Sequence, residues 1–356
     1  MSVQGRPGIA MIGTGMMGQI AHLSNYAKLR DEGLCEVVGV TDLKQRLASA
    51  VADHYRVATV YSCVDELLAD PAVDGVACIQ QWPNNHGLVR QILEAGRSVI
   101  TEKPMVGRLD EAEELTALAE AQGVHYAVGF MKRYDPGVEI GRRLLFDAVA
   151  SGRLGALRMV DATCNGGDWT QNPGRAISVD DSTPLPPLRP TYPEACTTDE
   201  KRRAYDWIVN IFSHTVNLTH HLLDGELDLQ HVQITAGKTL VATALVGDVT
   251  VVIRGVQTRA HEWREWTTFT FDRGEIRIDT PVPLNRQQVA QVTVLAPDGD
   301  QFTTTQHHAP VGWAFALQAR GFAAALAGGE PPRAPARECL KDVRVMQRMI
   351  EIAKLG

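Results

Sequence analysis

The stretch that most constrains this chain is Ile9-Ala-Met-Ile-Gly-Thr-Gly-Met-Met-Gly18, an apolar run that breaks into glycines at 13, 15 and 18 and then passes into a helical pattern. A strand that feeds Gly-x-Gly-x-x-Gly and opens a helix is the signature of a dinucleotide-binding turn. The first glycine permits the tight turn, the second lets backbone approach a pyrophosphate, and the third lets helix pack closely on strand. The helix N-terminus adds unpaired N–H groups and the positive end of its dipole. Gly13, Thr14, Gly15, Met16, Met17 and Gly18 are therefore candidate cofactor contacts.

Residues 9–130 continue in a pattern that supports this reading. Apolar runs at Gly8–Ile12, Glu36–Thr41, Gly75–Gln80, Ser98–Thr101 and His125–Phe130 alternate with helical patterns around Met17–Asp31, Lys44–His54, His86–Glu94 and Asp110–Ala121. Ser62-x-x-Asp65 resembles a capping box, and Gly96 and Gly123 stand where helices should end. Alternation of this kind implies a parallel sheet covered on both faces. Asp42 closes the second strand, where a carboxylate accepts hydrogen bonds from the adenosine ribose and repels a 2′-phosphate, so NAD is expected over NADP despite the nearby Lys44.

Composition narrows the class. The 356 residues are 44% apolar and carry a net charge of −7, enough chain for about two domains and the wrong charge for a general nucleic-acid or anionic-membrane binder. Apolar runs fall short of the ~20 residues of a membrane span. No charged segment followed by a hydrophobic stretch and cleavage site opens the chain. The six cysteines (35, 63, 78, 164, 196, 339) form no Cys-x-x-Cys pair and read as thiols of a reducing compartment, so a cytoplasmic protein is expected. The pairs His220-His221 and His307-His308 do not share a helix face and lack a spaced carboxylate or Cys, so no metal site is expected.

Two loops at strand ends carry candidate chemistry. Gln80-Gln-Trp-Pro-Asn-Asn-His86 follows the fourth strand, and loops at the carboxyl ends of parallel strands line the ligand crevice. Gln80, Gln81, Trp82, Asn85 and His86 are thus candidate cofactor contacts, although Asn84 or Asn85 can equally cap a helix and Trp82 plug its loop. Glu102-Lys103-Pro104 follows the fifth strand. In a partly dry pocket beside a positive nicotinamide, the ammonium form of Lys103 is disfavoured, which suits it to act as a base.

Taken together, the glycine fingerprint, Tyr61…Glu66-Leu-Leu-Ala-Asp-Pro…Val73-Asp-Gly-Val, Pro83…His86, Glu102-Lys-Pro and Arg133-Tyr-Asp-Pro136 resemble the Gfo/Idh/MocA oxidoreductases, and the motifs occur in that family's order. The resemblance implies a Rossmann domain over 1–130 and, over 131–356, an α/β domain with a large open, mostly antiparallel sheet for substrate binding and oligomerisation. It also implies a tightly held nicotinamide cofactor and hydride transfer at a sugar or cyclitol carbinol. The Lys of its Glu-Lys-Pro motif, the usual acid/base residue, maps onto Lys103, Glu102 belongs with it to the cofactor site, and Arg133 falls among substrate contacts.

Beyond residue 131, Asp135-Pro136 starts a helix that Gly152 ends, and Leu157–Cys164 alternates as a strand. Residues 165–206 hold six prolines and little periodicity, the mark of a binding loop, in which Asp168 can hydrogen-bond a sugar and Trp169 stack on it. Thr197-x-x-Glu200 suggests another capping box, for a helix running to Leu223 and stopped by Gly225. On it Asn210, His214, Asn217 and His221 fall on one stripe. By the resemblance, His214 matches a His that meets the reacting hydroxyl, Asn210 replaces an Asp, and Asn217 takes another polar position. Asn lacks the charge that favours imidazolium, so His214 should orient the hydroxyl while Lys103 moves the proton. From His231 to Gln306, strands alternate with turns, one sheet face being a candidate contact for a homodimer or homotetramer.

The expected function is NAD-dependent oxidation of a secondary ring hydroxyl of a sugar, glycoside or aminoglycoside. The proline-rich insertion and Asn210 resemble family members that act on glycosides, including antibiotic aminoglycosides, often at pyranose C3, and the resemblance implies that position and a role in antibiotic biosynthesis. Alternatives are a cyclitol dehydrogenase or sugar-ketone reductase, a glycosidase working through transient oxidation by NAD, and a non-catalytic NAD-sensing protein.

Overall fold

The computed structural model describes residues 5–171, 173–236 and 238–356. The chain divides into two units, the first formed by residues 1–130, 174–191 and 315–343, the second by 131–173, 192–314 and 344–356.

In the first unit, strands β1 (Gly8–Ile12), β2 (Glu36–Thr41), β3 (Thr59–Val60), β4 (Gly75–Cys78), β5 (Ser98–Thr101) and β6 (Tyr126–Val128) form one sheet in the order β3-β2-β1-β4-β5-β6. Every pairing is parallel. That is the doubly wound order whose reversal between β1 and β4 leaves a crevice at the strands' carboxyl ends. β1 has no solvent face. Ala10 and Ile12 enter one core with Val76, Val99 and Val128, while Ile9 and Met11 enter another with Val40, Ala77 and Ile100. A strand buried on both sides must be apolar at successive positions, which is why it reads as a run rather than an alternation.

Helices α1 (Ser24–Asp31), α2 (Gln45–Tyr55), α3 (Val64–Ala69), α4 (Asn85–Glu94) and α5 (Leu109–Gln122) fill the connections. Gly123 caps α5 with a φ of 66°, a conformation that costs a glycine little. The expected helix from Met17 begins as a π-turn over Gly18–Leu23 before α1. The expected box at Ser62 is displaced by one residue. Cys63 is the α3 N-cap, and the carboxylate that returns to the Ser62 N–H and hydroxyl is Glu66, not Asp65.

Two later segments also pack into this unit, so residues 131–356 do not form one uninterrupted domain. Ala319, Phe322 and Ala323 join the core beside Ile9 and Met11, and Ala336, Cys339 and Val343 join the other core. Gly75 is the place where this packing is tightest, since a Cβ there would lie 2.7 Å from Leu326. Ile177, from the proline-rich stretch, packs on the first of these cores.

The second unit is built on nine strands. After α6 (Pro136–Ser151) come β7 (Leu157–Gly166), α7 (Asp199–Trp207), α8 (Ser213–Leu223), β8 (Asp228–Thr235), β9 (Thr239–Val246), β10 (Val249–Gln257), β11 (Arg264–Phe271), β12 (Gly274–Thr280), β13 (Gln291–Asp298) and β14 (Gln301–His307). The chain ends with α9 (Ala314–Leu326), α10 (Ala336–Ile352) and β15 (Lys354–Leu355). The sheet order is β14-β13-β12-β11-β7-β10-β9-β8-β15, antiparallel except where β7 meets β10 and β8 meets β15.

One face of that sheet, with Val160, Phe269, Ile276 and Val294 in register, is buried. On the opposite face Leu245, Met159 and Leu295 lie along one row and are exposed, as is Phe302 of β14. Asp135 caps α6 by accepting from the N–H groups of Gly137 and Val138, and Gly152 ends the helix with φ 63°. The cap at the start of α7 is Thr198, whose hydroxyl accepts from the Lys201 N–H, one residue beyond the expected Thr197. α8 ends on Asp224 in the left-handed region, φ 50°, rather than on Gly225. Among the described residues no helix is long and apolar enough to cross a membrane.

Candidate functional site

The first unit gathers most of the expected cofactor residues at the carboxyl ends of β1, β2, β4 and β5. Gly13 donates its N–H to the Thr41 carbonyl at 2.9 Å and holds φ at 96°. A Cβ there would stand 2.2 Å from the Ile79 carbonyl oxygen, and one on Gly18 would stand 2.2 Å from the Gly13 carbonyl. Both glycines are thus required by the protein's own packing. Gly15 differs, because a Cβ on it would meet nothing within 4 Å. No neighbour within the fold demands glycine at this position, and it is exposed along with Met16. An open, Cβ-free turn at the head of a helix is what a pyrophosphate needs to reach backbone N–H groups, so the residues present fit a dinucleotide.

Asp42 also fits, with a qualification the sequence did not show. Its Oδ2 accepts from the Thr14 N–H at 2.7 Å and the Thr14 hydroxyl at 3.0 Å, and its Oδ1 accepts from the Lys44 N–H at 2.9 Å. A carboxylate offers about four acceptor positions, which leaves room for about one ribose hydroxyl. Asp42 therefore ties the glycine loop to the β2 turn.

The loops after β4 and β5 are joined by buried side chains. Trp82 lies in a short 3-10 turn, Trp82–Asn84, against Gly107, where a Cβ would be 2.6 Å from its ring. Gln80 stands over Gly13, its Nε2 2.4 Å from where a Cβ would be, whereas Gln81 is exposed. Asn85 is fully buried and its amide nitrogen donates to the carbonyls of Pro104 (3.2 Å) and Met105 (3.1 Å), so it holds the Lys103 loop. His86 turns instead toward Glu114, 3.0 Å away on α5. Lys103 is half-buried at the end of β5 and joined to Pro104 by a cis peptide bond.

Glu102 brings in a residue that motif reading missed. Its Oε1 lies 2.8 Å from Nε2 of buried His22, and its Oε2 accepts weakly from the Lys103 N–H at 3.3 Å. The His22 ring stands edge-on to Phe315 at 5.9 Å. The Glu102 carboxylate is thus held by its own protein partners beside Lys103. Nothing in the sequence links His22 to Glu102; only the π-turn, which sets where His22 faces, does so.

The second unit carries its own cluster. His214 is half-buried on α8, and Asn210 is exposed on a π-turn, Ile208–Phe212, that precedes it. Asn217 is buried and its Oδ1 accepts from Nε of Arg133, itself 1% exposed, at 2.9 Å. Arg133 and Asn217 therefore brace one another inside the unit. Next to Arg133, Lys132 makes a short, buried ion pair with Glu265, whose Oε2 also accepts from Trp263 Nε1 at 3.1 Å. His221 lies 3.1 Å from Glu139, and burial pulls its pKa below the usual histidine value despite that carboxylate. Asp168 spends its Oδ1 on the N–H and hydroxyl of Thr170, which hold its carboxyl below the usual range, and Trp169 beside it is half-buried.

With this geometry in place, comparison with known proteins is direct. The model of an oxidoreductase family with an NAD-binding Rossmann fold matches residues 8–130. Over these residues the chain is similar to the NAD-binding domain of the Gfo/Idh/MocA oxidoreductases. Among curated proteins, an inositol 2-dehydrogenase/D-chiro-inositol 3-dehydrogenase of Shouchella clausii is 37% identical over 131 residues, 36% of this chain and 37% of that one. A trans-1,2-dihydrobenzene-1,2-diol dehydrogenase of Bos taurus is 32% identical over 133 residues, 37% of this chain and 38% of its own. The match thus spans little more than a third of these relatives' length.

Solved structures extend the likeness of fold to the whole chain. KijD10, a 3-ketoreductase from Actinomadura kijaniata determined with NADP and TDP-benzene, superposes with a TM-score of 0.74 over 98% of both chains at 17% identity. The UDP-N-acetylglucosamine 3-dehydrogenase GnnA from Acidithiobacillus ferrooxidans gives a TM-score of 0.71 over 97% of both chains, again at 17% identity.

Proposed function

We propose that this protein is an NAD-dependent dehydrogenase that oxidises a secondary ring hydroxyl of a sugar, glycoside or aminoglycoside, with pyranose C3 as the first position to test. One observation carries the reading. The exposed Gly15 turn has space that the fold itself does not use, and Lys103 lies at the carboxyl end of a strand in the same sheet. A bound nicotinamide supplies the hydride acceptor. Lys103 takes the proton of the reacting hydroxyl through Nζ. Glu102, held by His22, fixes the backbone at Lys103, and Asn85 fixes the loop beyond it. His214 binds the reacting oxygen and Asn210 a neighbouring group, while Arg133 and Asn217 hold α8 from within.

The reading is tested by extracting the nucleotide that copurifies and then screening cyclitols, free sugars, glycosides and nucleotide-linked sugars for NADH formation. It fails if no dinucleotide is retained or bound and no such substrate reduces NAD. His214→Ala should lower turnover by about 10²-fold; unchanged turnover removes His214 from the assignment. We further propose that the exposed row of Met159, Leu245 and Leu295 forms the contact of a homo-oligomer. A charged residue at Met159 should then shift the sedimenting species to monomer, and a wild-type monomer contradicts it.

A further inference from the structure

Residues 174–191 leave the sheet of the second unit and count with the first. Their attachment there is specific. Gln19, one residue past the fingerprint, grips the Ile177 backbone with both ends of its amide, Oε1 accepting at 2.7 Å and Nε2 donating at 3.1 Å. Nη1 of Arg46, on the first turn of α2, donates to the Asp180 carbonyl at 2.6 Å. At the far end, the Thr191 hydroxyl donates to Glu111 at 2.9 Å.

These points lay the segment along the β2–α2 turn, which is where the adenosine ribose end of a dinucleotide is read. An acidic residue there selects the free 2′-hydroxyl, and an arginine close by accommodates a 2′-phosphate. This turn contains both kinds of residue, Asp42 on one side and Lys44 with Arg46 on the other. The arginine is already engaged. The Arg46 guanidinium is committed to the Asp180 carbonyl. Asp181 accepts from the Thr183 N–H at 3.0 Å through Oδ1, while its Oδ2 is buried and has no hydrogen-bond partner among the described residues. Its carboxyl is held below the usual range first by the Thr183 hydroxyl and N–H, then by the α2 backbone N–H of Arg46 and the Lys44 ammonium. The Asp181 carboxylate thus adds negative charge next to the Asp180 carbonyl that holds Arg46.

We propose that residues 174–191 are a strap that makes this dinucleotide site select NAD over NADP, the Asp180 carbonyl occupying the Arg46 guanidinium that a 2′-phosphate would need and the adjacent Asp181 carboxylate adding negative charge beside it. The proposal rests on the cofactor reading above but not on the substrate or on Lys103. Asp42 repels the phosphate from one side of the turn, and the strap takes up Arg46 on the other.

The test is fluorescence titration of the cofactor-stripped, full-length protein with NADH and NADPH, a readout independent of turnover. The wild type should bind NADH at least about tenfold more tightly than NADPH. Asp181→Ala should tighten NADPH by about three- to tenfold and leave NADH within about twofold, the gain shrinking as salt is raised. Asp181→Asn, which keeps the shape of the Thr183 turn, should move in the same direction, and adding Arg46→Ala to Asp181→Ala should erase the gain. Equal wild-type affinity for the two nucleotides, or an affinity ratio unmoved by Asp181→Ala, overturns the proposal while leaving the cofactor reading intact. Failure of either nucleotide to bind at all overturns the cofactor reading itself.

Discussion

Two π-turns, Gly18–Leu23 and Ile208–Phe212, each lead into a helix that bears candidate site residues. In the first, all six residues are buried, and what matters before it is backbone: the Gly13 turn, the close approach of Gly18, the space at Gly15. In the second, Asn210 is exposed, and what matters is which side chain of the following helix meets which neighbour. A π-turn closes i→i+5 rather than i→i+4 bonds and so shifts every side chain around the axis. Backbone demands survive that shift; a stripe drawn at helical spacing does not. Of the four residues of the expected stripe only Asn210 lies in the turn, and it is exposed, whereas on the regular helix beyond it His214 is half-buried, Asn217 is buried on Arg133 and His221 lies beside Glu139.

The side-chain framework of the second unit is the easier of the two to break. Glu265→Ala leaves the buried Lys132 ammonium unpaired and Trp263 without its acceptor, and should destabilise the protein by about 3–5 kcal/mol in denaturant unfolding. Loss of less than about 1 kcal/mol would show that the cluster is looser than the account holds. The backbone framework of the first unit is tested by Gly13→Ala, where a 2.2 Å approach and a φ of 96° together should cost about 2–4 kcal/mol. Gly15→Ala sharpens the contrast. Stability should stay within about 0.5 kcal/mol while NADH affinity falls about tenfold or more, because its open space belongs to the ligand.

The smallest effect concerns pH. Burial lowers the His221 pKa, so below the ordinary histidine value near 6.5 the unfolded chain binds the proton first and stability declines as pH falls. His221→Gln should flatten that decline between about pH 7 and pH 5 in thermal melts. An unchanged slope would remove His221 from the acid response.

How much was legible in the sequence follows the same division. The strands β1, β2 and β5 fall where their apolar runs predict, since a strand buried on both faces has only one reading. The glycine turn was legible because Gly13 and Gly18 leave no room for a side chain. The side-chain contacts of Asn85 and His86 were not legible, because a loop position does not say where a side chain turns; one donates to the carbonyls of Pro104 and Met105, the other faces Glu114. His22 and Asp181 could not be found at all. Their partners lie far off in sequence, on Glu102 and at the start of α2, and no local pattern marks such pairings. The expected domain boundary near residue 130 likewise could not show that residues 174–191 and 315–343 return to the first unit.

The central claim is that the first unit binds a nicotinamide dinucleotide whose chemistry depends on Lys103. Its most direct test compares wild type and Lys103→Ala, each loaded with NAD, in a single-turnover assay with a substrate found in the screen. The account predicts that both bind NADH with affinities within about threefold, while hydride transfer in the variant falls by about 10²–10⁴-fold. Undiminished hydride transfer in Lys103→Ala would contradict it.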